Sequence, residues 1–122
     1  MKYALLIYSD ESGWDAISEQ EQREIYQKYA AFSQEAIERG MMRGGDELNS
    51  ASTATTVRVR DGETLLTDGP FAETKEQLGG FYLLECADVD QAIEMAAKIP
   101  GAASGAIEVR PVIEREGAPP AE

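Results

Sequence analysis

Asp68, Glu73, Lys75 and Glu76 crowd around a Gly69-Pro70 turn, and they are the residues of this chain best placed to do chemistry. Asp68 ends a predicted strand, Gly69 supplies free backbone geometry, and Pro70 fixes φ while removing a donor. A turn built this way is stiff, so the charged side chains after it have a defined direction. A carboxylate beside a lysine or arginine can serve as a general base, with the cation stabilising an enolate or oxyanion. Two further groups can join them: Glu108 with Arg110 from the last predicted strand, and Glu47 from the segment around Gly44-Gly45. Glu108 and Arg110 share a strand face opposite Ile107 and Val109, on a strand expected to lie inside the sheet. Charges so placed are retained when paired or when functional. The catalytic assignment is therefore Asp68, Lys75 and Arg110, with Glu73, Glu76, Glu108 and Glu47 as ligand-binding residues. Lys75 and Arg110 would recognise a small anionic ligand, since the planar fork of arginine suits a carboxylate, and Asp68 would orient the cations or act as base. The competing reading is a structural ion-pair network in which Asp68 and Glu108 neutralise both cations and tie an inserted segment to the sheet.

The rest of the composition narrows the chemistry further. There is no histidine, which removes His-based zinc sites, Ser-His-Asp triads and imidazole acid–base work together. The formal net charge of −12, with scattered Lys and Arg, argues against nucleic acid or anionic lipid as a partner. The acidic residues follow no calcium-loop spacing, and Gly79-Gly80 lacks the context of a dinucleotide site and reads as a bulge, so neither metal nor cofactor is expected. The single cysteine, Cys86, ends an apolar strand and reads as a buried, inert thiol. A length of 122 residues fits one domain over residues 1–115 with a frayed tail over 116–122. No apolar run approaches a membrane span, and residues 3–8 are too short for a signal-peptide core, so the expected location is cytoplasmic.

The elements that must hold these residues are legible as patterns. Residues 2–8 alternate with both faces largely apolar, as a central strand does. A polar loop with Trp14 follows, the indole expected to pack on the next helix. Ser18 and Glu21 form a capping box, and Ile25, Tyr29, Phe32, Ala36 and Ile37 make an apolar stripe ending at Gly40. After a short strand over 41–48, Asp61-Gly62 marks a two-residue hairpin that sets Val57 against Leu66, Thr55 against Asp68, and Arg60 against Glu63. Residues 79–86 form another strand. Asp88 caps a second helix with Val89, Ala92, Ile93 and Ala96 as its stripe, stopped by Pro100-Gly101. A final strand covers 106–113. The order β-α-β, hairpin, β-α-β predicts an α+β, ferredoxin-like antiparallel sheet with two helices on one face and an inserted β-hairpin. Its other face needs a partner, and Tyr8 and Tyr82 are candidates to line it.

The chain resembles the DGPF branch of the YCII-related family, through Asp68-Gly69-Pro70-Phe71 and through the flanking stretches at residues 1–8 and 109–112. The resemblance implies the same ferredoxin-like fold paired as a dimeric α+β barrel, hence a homodimer. It also implies a His-Asp pair in the cleft, which this chain cannot supply because it has no histidine. Two functional readings follow. One is a small-molecule-binding protein, in enzymatic form a lyase or isomerase. The other is a non-catalytic regulatory or interaction module, which the resemblance links to sigma factors of the extracytoplasmic-function class.

Overall fold

The alternation of residues 2–9 decides how the layers form. In the computed structural model, which describes residues 1–115, strand β1 (Lys2–Ser9) buries Tyr3, Leu5 and Ile7 on one face. The frayed tail expected over 116–122 lies outside the described residues. After β1 come α1 (Ser12–Asp15), α2 (Glu19–Glu38), β2 (Met42–Glu47), a 3-10 turn (Ala51–Thr53), β3 (Thr55–Arg60) and β4 (Glu63–Asp68). The chain continues with β5 (Gln77–Glu85), α3 (Val89–Ala97), α4 (Gly101–Ser104) and β6 (Ala106–Pro111). The protein is thus α+β. Its main sheet has four strands in the order β2-β5-β1-β6, every neighbour antiparallel, and β3 with β4 forms a separate two-stranded sheet.

The helices cover one face of the main sheet. Phe32 and Ala36 of α2, with Ala92, Met95 and Ala96 of α3 and Ile99 beyond it, pack on Tyr3, Leu5, Ile7 and Leu84. Leu5 and Leu84 are fully buried, each worth about 1.5–3 kcal/mol in transfer from water. Ser18 caps α2 by accepting from the Glu21 amide at 3.1 Å, and Asp88 caps α3 by accepting from the Gln91 amide at 2.9 Å. Trp14 packs edge-on to Tyr26 of α2, with ring centroids 5.3 Å apart. Ile37, Val89 and Ile93, assigned to the buried stripes by spacing, are instead 57%, 47% and 53% exposed; α3 turns Met95 inward rather than Ile93.

Four other expectations are corrected. The polar loop after β1 contains the single turn α1, held because the Asp10 carboxylate accepts from both the amide and the hydroxyl of Ser12. Pro100-Gly101 does not simply stop a helix; Pro100 has helical φ and ψ of −53° and −36° and opens α4, a position where its missing N–H is harmless. Tyr82 pairs with Leu5 and sits under α2 against Phe32, whereas Tyr8 does lie on the face opposite the helices. The last strand lies at the edge of the sheet, because β6 pairs with β1 alone. The Gly79-Gly80 bulge stands as expected, with Ile7 opposite Gly80 and Tyr8 opposite Leu78.

Candidate functional site

The hairpin sets the geometry of the turn that follows it. Asp61 and Gly62 have φ of 51° and 77°, as a type I′ turn requires, and the register places Val57 opposite Leu66 and Thr55 opposite Asp68. Gly69 follows with φ of 102°, a conformation L side chains avoid. Its amide donates to the Ala54 carbonyl at 2.7 Å, and its own carbonyl accepts from the Thr56 hydroxyl at 2.9 Å. Phe71 then projects 78% exposed, with the Arg58 guanidinium 5.3 Å from its ring centroid. The run into β5 is pinned by the Gln77 side-chain amide, which donates to the carbonyls of Ala72 and Thr74.

That run brings Lys75 and Glu76 to the end of β1. Together with Tyr8, Asp10, Thr74 and Ser104 they line an open cleft of about 830 Å³. Gly105 makes this convergence sterically allowed, since a Cβ there would clash with the Tyr8 carbonyl oxygen. The Ser12 hydrogen bonds hold the Asp10 carboxyl below its ordinary pKa, and the positive charge of Lys75 adds to the effect. Lys75 itself carries no ion pair among the described residues. The Tyr8 hydroxyl donates to Glu108 Oε1 at 3.4 Å, and Glu108 in turn pairs with Arg110, whose guanidinium pKa it raises. A line of polar contacts therefore leads from the cleft along Tyr8 to the edge strand.

Of the residues singled out by sequence, Lys75 and Glu76 line the cleft, both exposed, whereas Glu108 and Arg110 stand outside its lining, Glu108 touching it through Tyr8, so the expected corner of Lys75 with Arg110 is not formed. Arg110 is paired with Glu108 and not with Asp68, and its side chain is 66% exposed because an edge strand lets charges reach water. The interior ion pair expected there is a surface one, of the kind worth about 0–1 kcal/mol. Asp68 sits exposed at the end of β4, outside the cleft lining. Glu73 is exposed and likewise outside it. Glu47, at the end of β2, accepts from the Tyr26 hydroxyl at 3.1 Å. Tyr8, Asp10 and Ser104 were not foreseen. Asp10-Glu11-Ser12 offered a signal, a carboxylate two residues before a hydroxyl directly after a strand. Ser104 offered none without α4.

Comparison with known proteins places the chain in a family. The model of the YCII-related domain matches residues 1–116, and the chain belongs to that family. It is 41% identical over 114 residues to an uncharacterized protein of Rhizobium meliloti (strain 1021), an alignment that covers 92% of each chain. Among the described residues, no helix is long and apolar enough to cross a membrane.

Proposed function

We propose that the protein binds a small carboxylate-bearing molecule in the cleft lined by Tyr8, Asp10, Lys75, Glu76 and Ser104. The observation that carries this reading is Lys75, an exposed cation without an ion pair among the described residues, beside the hydroxyls of Tyr8, Thr74 and Ser104 and the carboxylates of Asp10 and Glu76 in one open cleft. Lys75 would hold the ligand carboxylate, and Asp10 or Glu76 would take a proton next to it, which is lyase or isomerase chemistry without histidine. Asp68 and Arg110 would then act from outside the contact shell, Arg110 by fixing Glu108 and so Tyr8. The strand order β2-β5-β1-β6 supports the ferredoxin-like description of the sheet, with the DGPF turn as an added feature of this branch. Leu6, Tyr8, Leu78, Phe81 and Leu83 line the face opposite the helices at partial exposure, which supports a homodimer closed through that face. The cleft lies at the rim of the same face.

Thermal shift against a panel of small mono- and dicarboxylates and divalent ions tests the proposal. A carboxylate is expected to raise Tm of the wild type and not of Lys75→Met. Arg110→Met is expected to weaken the shift while leaving the unliganded Tm nearly unchanged, as loss of an exposed pair does. A panel with no effect on the wild type overturns the reading. In that case the non-catalytic interaction-module reading takes its place.

A further inference from the structure

The hairpin of β3 and β4 has two unlike faces. Thr56, Arg58, Leu65 and Thr67 lie on one, where Phe71 stands over Arg58 and Thr56 bonds to Gly69. The other face carries Thr55, Val57, Val59, Thr64, Leu66 and Asp68. Val57 and Val59 are each 59% exposed there, and Leu66 is 68% exposed. Among the described residues, no helix or strand of the chain covers this second face. A two-stranded hairpin alone is marginal in water, and three strands or a packed face are what stabilise one. The regular register and the I′ turn show a hairpin built to persist, so its bare face calls for an occupant.

Charge and area both point to what that occupant is. The chain carries a net charge of −12, so two copies repel except where uncharged surfaces meet. Five of the six residues on the bare hairpin face are uncharged, and the two central strands of the open sheet face present Leu6, Tyr8, Leu78, Phe81 and Leu83, with Asp46, Glu108 and Arg110 confined to its outer strands. From strand rise and spacing, the open face of four strands offers on the order of 400 Å² and the hairpin face about 200 Å² more. The sheet face alone would bury about 800 Å² over two partners, the scale of crystal packing, while both faces together give about 1,200 Å², where specific interfaces begin.

We propose that the β3–β4 hairpin is an arm that packs Val57, Val59 and Leu66 onto a second copy of this chain. The arm rests on the homodimer reading above and adds the surface that makes that dimer stable. Val57→Glu combined with Leu66→Lys tests it, because the new cross-strand pair supports the hairpin and leaves the net charge unchanged. Sedimentation velocity is expected to show a dimeric wild type at micromolar concentration, and a variant with unchanged circular dichroism whose dimer Kd is raised by at least roughly a hundredfold, since each dimer loses two arms. A monomeric wild type overturns the homodimer and the arm with it. A dimeric wild type with an unchanged variant Kd overturns the arm alone. A photo-crosslinker in place of Leu66, in dimers mixed from light and isotopically heavy chains, gives the independent readout. Light–heavy crosslinks support the arm, and crosslinks confined to one chain overturn it.

Discussion

Ile7 and Val57 hold the same kind of position, an apolar residue on one face of an antiparallel strand, yet Ile7 is 9% exposed and Val57 59%. Around Ile7, the alternation of β1 meets two helices and two flanking strands, so its face is dry. Around Val57, no helix or further sheet among the described residues covers the same alternation. Pattern alone specifies which side chains share a face; what covers the face depends on the elements that return to it. The helix side of the body closes on itself. The hairpin is held locally, by its turn and by the bonds at Gly69.

The largest expected effect separates these two regimes. Leu84→Ala empties a fully buried position and is expected to cost about 2–5 kcal/mol in urea unfolding. Thr67→Ala, on the hairpin face turned away from Val57 and Leu66, should change the same measurement by about 0.5 kcal/mol or less. Equal effects would mean that the hairpin belongs to the body's cooperative unit.

Gly69→Val is intermediate. A β-branched residue forced to φ near 102° and followed by proline should cost about 1–3 kcal/mol. Because the hairpin is its own sheet, hydrogen exchange should show that loss as faster exchange over β3 and β4 with little change in β1 and β5. Uniform loss of protection would erase the distinction between the two regions.

The smallest effect lies in the body. Glu35 of α2 accepts from Lys98 at 2.6 Å and from Arg39 at 3.1 Å, and both bonds hold its pKa below the ordinary carboxylate value. A depressed folded-state pKa means the contribution is complete above the unfolded value, about 4.3, and is lost as pH falls through the lower folded one. Glu35→Gln should thus lower Tm by about one degree at pH 7 and by less at pH 3. A larger deficit at pH 3 would reverse the sign and refute the pairing.

Where sequence reading succeeded, local chemistry decided the outcome. Ser18 and Asp88 cap helices, Asp61-Gly62 sets the hairpin register, Gly69 takes positive φ, and Gly79-Gly80 bends a strand. The lining of the candidate cleft was only half legible, since Lys75 and Glu76 arrive there but Asp68 does not. The reason is directional. Asp68 belongs to the hairpin and Lys75 to the return into β5, and the stiff turn between them separates the two rather than joining them. Tyr8 and Ser104 entered the site through tertiary closeness, allowed by the absence of a side chain at Gly105. No periodicity reports such a contact. The edge position of β6 escaped for a similar reason, because charges on alternate positions suit a buried functional strand and a wet edge equally well.

That edge has a consequence for how the protein behaves when concentrated. A free strand edge is a template for another chain, and copies joined edge to edge grow without limit. Both outer strands of the main sheet are poor templates. On β6, Glu108 and Arg110 hold charge at the rim and Pro111 lacks an amide donor; on β2, the ladder slips between Met42 and Gly44. These features disfavour growth by strand addition on each side of the sheet. The same features that obscured β6 in the sequence guard the protein against fibrous assembly.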